Sequence, residues 1–218
     1  MIAARDLRFQ YRSHGFRLEI DRFSVQPGEK VALLGPSGTG KTTLLNLLAG
    51  ILVPGAGVLE INGLDLASLR PQDRQDFRAV KLGLMFQEFG LLEYLSVLEN
   101  IFLPYRISPV LQLEGSVLER ARNLAQDVGL TDMVNRYPKH LSQGERQRIE
   151  VCRSLITQPA AILADEPTGN LDPRNRDRVI DLLFDYTAES QAALLVVTHD
   201  HELARRFDRA VDMQELAR

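Results

Sequence analysis

One short stretch constrains this chain more than any other: Gly35-Pro36-Ser37-Gly38-Thr39-Gly40-Lys41-Thr42, followed by Thr43. It matches the pattern G-x-x-x-x-G-K-[ST]. Its glycines let the backbone turn without a Cβ clash and come close to a ligand. The converging amide groups make an anion nest, and the helix that follows offers its positive N-terminus. Lys41 is expected to reach the β- and γ-phosphates of a nucleotide, and the Thr42 hydroxyl to ligate Mg²⁺. Such a loop works only between a strand and a helix. Residues 31–34 read as a short buried strand, and residues 43–49 as an apolar helix that stops near Gly50.

The surrounding pattern repeats this alternation. Residues 3–34 are β-rich, with Leu18-Glu19-Ile20 alternating and Pro27-Gly28 as a turn. Residues 58–62, 81–86, 160–164 and 192–198 also read as strands. Val117, Ala121, Leu124, Ala125 and Val128 form one helical stripe, and a second helix is expected over 145–155. Strands alternating with helices predict an α/β fold with parallel strands. The expectation is a P-loop NTPase core with a β-rich N-terminal lobe and an inserted helical lobe at about residues 88–158, all in one domain of 218 residues.

A second chemical feature lies far along the chain. The apolar run Ala161-Ile162-Leu163-Ala164 ends in Asp165-Glu166. In open α/β sheets ligands sit at the carboxyl ends of strands, so both carboxylates would face the nucleotide. Asp165 would hold Mg²⁺, directly or through water, and Glu166 would polarise the attacking water.

Composition removes several alternatives. The net charge is −3 and no basic stripe stands out, so nucleic acid is not an expected partner. The single cysteine, Cys152, precludes an internal disulfide and permits a reducing compartment. No signal-peptide pattern opens the sequence, and no run approaches the roughly 20 apolar residues of a membrane span. A role at a membrane would come through a partner. His14, His140, His201 and Cys152 show no metal-ligand spacing.

Leu141-Ser142-Gln143-Gly144-Glu145 precedes the second helix. Ser142 and Glu145 have the spacing of a capping box, which would account for both residues structurally. A capped helix start is also an anion site, and the two readings are compatible. This stretch resembles the signature of the ATP-binding cassette (ABC) family, with Gln143 and Glu145 departing from the usual L-S-G-G-Q. The resemblance runs over essentially the whole chain. Tyr11 falls at the adenine-stacking aromatic, and Gln87 in Met85-Phe86-Gln87-Glu88 at the Q-loop. Asp165-Glu166 matches the Walker B pair, Asn170-Leu171-Asp172 the D-loop, and His199 the switch histidine. A final strand and turn common in the family read as truncated after Met213.

The resemblance implies an ATPase that transfers phosphate from ATP to water. ATP and Mg²⁺ are the implied ligands. Gly35, Pro36, Ser37, Gly38, Thr39, Gly40, Lys41, Thr42 and Thr43 would contact the nucleotide, with Tyr11 on the adenine. Gln87 would ligate Mg²⁺ and act as the hinge to the helical lobe, and Glu166 and His199 would act on the water with Lys41. It further implies a head-to-tail homodimer in which Ser142, Gly144, Glu145 and Asp172 address the ATP held by the opposite chain. A permease-like integral membrane subunit would hold the chain on the cytoplasmic face of the plasma membrane. Leu98-Glu99-Asn100-Ile101-Phe102-Leu103-Pro104 and Pro167-Thr168-Gly169-Asn170-Leu171-Asp172 look like the lipoprotein-releasing and macrolide-export subgroup. A cell-division type that moves no solute is the alternative. Translation factors carry two cassettes, chromosome ATPases need a long coiled-coil insertion, and a small-molecule kinase leaves residues 141–145 unexplained. The surface over residues 87–104, with the apolar Phe89, Leu91, Leu92, Tyr94 and Leu95, is expected to dock the membrane subunit.

Overall fold

Alternation at the N-terminus builds an antiparallel hairpin. β1 (Ile2–Gln10) pairs with β2 (Arg17–Val25), from Ile2 opposite Val25 to Gln10 opposite Arg17. In chain order there follow β3 (Lys30–Leu34), α1 (Lys41–Leu48), β4 (Ala56–Ile61), β5 (Leu64–Asp65), α2 (Pro71–Lys81) and β6 (Leu82–Met85). The helical segment holds α3 (Val97–Ile101), α4 (Leu103–Ile107), α5 (Gly115–Asp127) and α6 (Gln143–Leu155). The chain continues through β7 (Ala161–Asp165), α7 (Pro173–Ser190), β8 (Ala193–Val197), α8 (His201–Ala204), β9 (Arg209–Asp212) and α9 (Met213–Leu216). This computed structural model describes residues 1–11, 15–86, 90–169 and 171–217.

Two sheets organise these elements. One is antiparallel, in the order β2-β1-β4-β5; the other is parallel, in the order β6-β7-β8-β3-β9. Strands of the parallel sheet are covered on both faces, as their near-continuous apolar sequences require. Val31, Leu33, Leu163, Leu195 and Val197 face a core shared with α1 and the antiparallel sheet. The intervening Ala32, Ile162, Ala164, Leu194 and Val196 face the other way, against α6 and α7. Successive strand side chains point to opposite faces, so one strand serves both cores. A third cluster joins α3, α5 and α6 through Val97, Ile101, Ala121, Ala125, Ile149 and Cys152. The helical stripe read from the sequence thus packs inward. No helix among the described residues is long and apolar enough to cross a membrane.

Helix α6 begins at Gln143, two residues before the sequence expectation, because Ser142 is its N-cap and Glu145 closes the capping box. α2 escaped the sequence reading. It buries no residue, and its start is marked by Pro71 at the first position and Asp73 in the first turn.

Candidate nucleotide site

The strand order brings the chemical motifs together. β7, β8 and β3 are consecutive neighbours and parallel, so their carboxyl ends lie side by side. β3 delivers the phosphate loop, β7 delivers Asp165 and Glu166, and β8 delivers Thr198 and His199. A cavity of about 510 Å³ opens there, lined by Tyr11, Phe16, Ser37, Gly38, Gly40, Lys41, Thr42, Thr43, Asp165 and Glu166. That volume lies within the ~300–1,000 Å³ range of small-molecule sites.

The loop geometry follows from its glycines. Gly40 is the N-cap of α1 with φ 98° and offers no side chain to the first helical amides. A Cβ there would come within 2.8 Å of Phe16, so any other residue would push the aromatic wall aside. Gly38, at φ 83°, has open space where a Cβ would stand; its requirement is the left-handed backbone, not room. The Lys41 ammonium folds over the loop and donates to the carbonyls of Gly35 at 2.6 Å and Pro36 at 2.8 Å. Thr39 donates to the Pro36 carbonyl at 2.9 Å, which closes the turn.

The Thr42 hydroxyl donates to Asp165 Oδ2 at 2.9 Å. These two oxygens come from motifs 123 residues apart. They are the hard donors that magnesium prefers. Among the described residues no group of three His, Cys, Asp or Glu could hold a metal. Thr42 and Asp165 are the residues that would hold a magnesium ion brought in with a nucleotide.

Beside the cavity, His199 Nδ1 lies 2.8 Å from Glu166 Oε1. The histidine side chain is 79% exposed and the glutamate 24%, so the pair stands at the cavity edge, open to water. Glu166 has φ 50°, in the left-handed region. A second pocket of about 310 Å³ adjoins the first through Ser37, Asp165 and Glu166, and is bounded further by His199, Gln147 and Glu150. Burial pushes the Glu150 carboxyl up to about 8, against the opposing effects of Arg153 and the Phe86 amide. Burial likewise pushes the Cys152 thiol up, which leaves it a packing residue.

Tyr11 sits on the cavity wall, edge-on to Phe9 with centroids 4.8 Å apart and tilted against Phe16 at 6.3 Å. Its hydroxyl is 3.4 Å from Thr43 Oγ1. Phe16 was not singled out in the sequence. The signature residues stand elsewhere: Ser142 is exposed, and neither it nor Gly144 nor Glu145 lines the cavity of its own chain. Asp172 caps α7, accepting from the Asn175 amide at 3.1 Å and its side chain at 2.6 Å. Gln87 and Asn170 lie outside the described residues, as do Phe89 and His14.

Of the surface expected over residues 87–104, residues 87–89 lie outside the described ones. Leu91 packs into the third core, while Tyr94 is exposed. An apolar groove of about 590 Å³ lies between α2, β6 and α4, with Leu84, Phe86, Gly90, Leu103, Pro104 and Ile107 on its walls.

Comparison with known proteins agrees with this geometry. The profile of the family described as ABC transporter matches residues 18–169. The lipoprotein-releasing system ATP-binding protein LolD of Hydrogenovibrio crunogenus is 38% identical, over 99% of this chain and 94% of its own length. The macrolide export ATP-binding/permease protein MacB of Rhodopirellula baltica is also 38% identical over 99% of this chain, which spans 32% of that protein. Among solved structures, the ATP-binding cassette MJ0796, dimeric in a post-hydrolysis state with ADP and Pi, superposes with a TM-score of 0.88. That structure is 29% identical, covering 97% of this chain and 94% of the other.

Proposed function

Because this chain belongs to the ABC transporter family, we propose that it energises a membrane transporter by closing and reopening a head-to-tail dimer around ATP. As a member of that family it is an ATP-binding ATPase of the ABC type and a transporter ATPase subunit. The proposed residue roles are supported by this geometry and, for Gln87, by the family resemblance alone. The phosphate loop from Gly35 to Thr43 wraps the phosphates, and Lys41 exchanges its two carbonyl partners for phosphate oxygens. Tyr11 and Phe16 wall the base. Thr42 and Asp165 would hold magnesium, which when bound supplies positive charge against the phosphates. Gln87 would join them as a ligand and hinge. Glu166 accepts the proton of the attacking water, and His199, bonded to it at 2.8 Å, orients the carboxylate and contacts the γ-phosphate.

The observation that carries the dimer is the separation of motifs within one chain. Ser142, Gly144 and Glu145 are absent from the cavity lining, although they begin a well-formed helix. A second copy placed head to tail supplies them, with its Asp172, to the open side of the cavity. The dimeric cassette resembled at TM-score 0.88 supports this arrangement. The test is complementation. Lys41→Ala and Ser142→Arg chains are each inactive. Mixed, they form heterodimers with one complete site and one doubly broken site, so ATPase activity returns. Zero activity in heterodimers shown to form counts against the arrangement.

The work leaves through a permease-like integral membrane subunit, which holds the chain peripherally at the cytoplasmic face. The names of the relatives, lipoprotein release and macrolide export, support a transporter over a cell-division role. The groove walled by Leu84, Leu103, Pro104 and Ile107 is the surface for its helix. Phe86 and Gly90, on either side of residues 87–89, both border it. Ile107, 71% exposed, is the residue to change. In Ile107→Asp the isolated chain keeps its ATPase activity and no longer co-purifies with the membrane subunit. Normal co-purification would place the docking surface elsewhere.

A further inference from the structure

The φ of 50° at Glu166 is a backbone state that a non-glycine residue holds only when its surroundings over-determine it. The main chain of Glu166 has its tethers on the page. Its amide donates to the Val197 carbonyl at 3.0 Å, at the end of β8. Its carbonyl accepts from the Gly169 amide at 3.2 Å, in the turn that follows. The same carbonyl accepts from Gln147 Nε2 at 2.9 Å, and Gln147 is 4% exposed on α6. The first tether fixes where the residue starts, and the second is local to its own turn. The bond from Gln147 ties the Glu166 peptide to the helix that opens at Ser142. The next residue on that helix, Arg148, donates to Asn175 Oδ1, and Asn175 holds both carboxylate oxygens of Asp172. Two consecutive side chains of α6 therefore clamp the two ends of the segment from Glu166 to Asp172.

We propose that Gln147 is a positioning residue for hydrolysis: its amide holds the Glu166 peptide in the left-handed turn that sets the carboxylate against His199 at the cavity edge. The inference rests on the reading of Glu166 as the base. Without the bond, the peptide relaxes toward ordinary φ values, and a side chain rotated about its own backbone no longer reaches the same point. Rate is sensitive to such displacement: about 1 Å of misplacement costs about 10²-fold. ATP affinity is expected to change less, because the phosphate loop, Thr42 and Asp165 are held by bonds of their own.

The experiment uses the full-length chain in Gln147→Met, which keeps the length of the side chain and removes the donor. Gln147→Glu is the second variant, turning an acceptor toward the Glu166 carbonyl. ATP titration shows that each variant is folded. Expected is a kcat lower by about 10- to 100-fold in both, with the half-saturating ATP concentration within about two-fold of the original. The decisive arm is the double variant with Glu166→Gln. With no base left to misplace, adding Gln147→Met changes the residual turnover by less than about two-fold. A merely structural glutamine gives the same proportional loss in both backgrounds, and that result overturns the proposal. So does an unchanged kcat in ATP-binding Gln147→Met and Gln147→Glu. Glu166→Gln alone tests the underlying reading; wild-type turnover there removes the base and with it any reason to hold Glu166.

Discussion

Helices α1 and α6 both begin at motifs that the proposed function addresses to phosphate, and they begin in opposite ways. α1 has Gly40 as its N-cap, no side-chain bond to its first amides and no acidic residue in its first turn. α6 has a complete capping box: Ser142 accepts from the Glu145 amide at 3.3 Å, and Glu145 accepts from the Ser142 amide at 2.7 Å and its hydroxyl at 2.8 Å. One helix leaves its positive end for a ligand and adds the charge of Lys41. The other has already placed a carboxylate on its own positive end, a contact favourable to the helix itself. α1 is therefore built to take an anion unaided, whereas α6 approaches one with a negative charge in its first turn. A composite site made of both would draw nearly all its phosphate affinity from α1.

That asymmetry can be broken most sharply at Lys41. The Lys41→Ala chain is expected to show no measurable ATP binding by isothermal titration, because α1 keeps its amides and loses the cation beside them. Ser142→Arg, at the other helix, leaves titration by the separate chain close to the original. If Lys41→Ala binds ATP as before in a folded chain, α1 is not the principal phosphate site.

A smaller effect sharpens the account of the α1 side. Tyr11 offers its ring to the cavity, and the 3.4 Å separation of its hydroxyl from Thr43 is at the long end for a hydrogen bond. Tyr11→Ala is expected to weaken ATP binding by about 1–3 kcal/mol, the range for losing a base–aromatic stack. Tyr11→Phe stays near the original, since the ring remains. Equal affinities for all three make Tyr11 a packing residue against Phe9 and Phe16.

The two helix starts also differ in how far the sequence revealed them. The phosphate loop and the Asp165-Glu166 pair are local patterns at the ends of apolar strands, His199 is read through the family resemblance, and parallel pairing of β3, β7 and β8 brings the three side by side. The start of α6 was placed at 145, although the capping box that sets it at Gln143 was itself readable. Phe16 and Gln147 gave no local signal. Phe16 meets Gly40 only because the hairpin folds over the loop, and Gln147 meets Glu166 because α6 packs on the face of the parallel sheet. The docking surface is expected over residues 87–104; Leu91 packs on the core, while Leu103 and Pro104 wall a groove whose other side is α2, a polar helix that buries no residue.

The smallest expected effect tests whether α6 meets a phosphate at all. In the proposed head-to-tail dimer the γ-phosphate of one chain would approach the first turn of α6 of the other, where Glu145 lies. Glu145→Gln keeps a residue that can close the capping box and removes the charge. Two consequences pull apart. The helix loses a favourable charge at its N-terminus, worth about 0.3–1 kcal/mol, and the chain should melt slightly lower. An incoming phosphate loses a like charge from its path, a gain of similar size, so the ATP concentration for half-maximal turnover should fall by about two- to five-fold. The gain should fade in high salt, where exposed charges are screened within about 10 Å or less. It should also vanish for ATP binding by the isolated chain, since Glu145 does not line that cavity. A lower melting temperature with no change in half-saturating ATP at low salt would mean that the start of α6 serves its own helix and receives no phosphate.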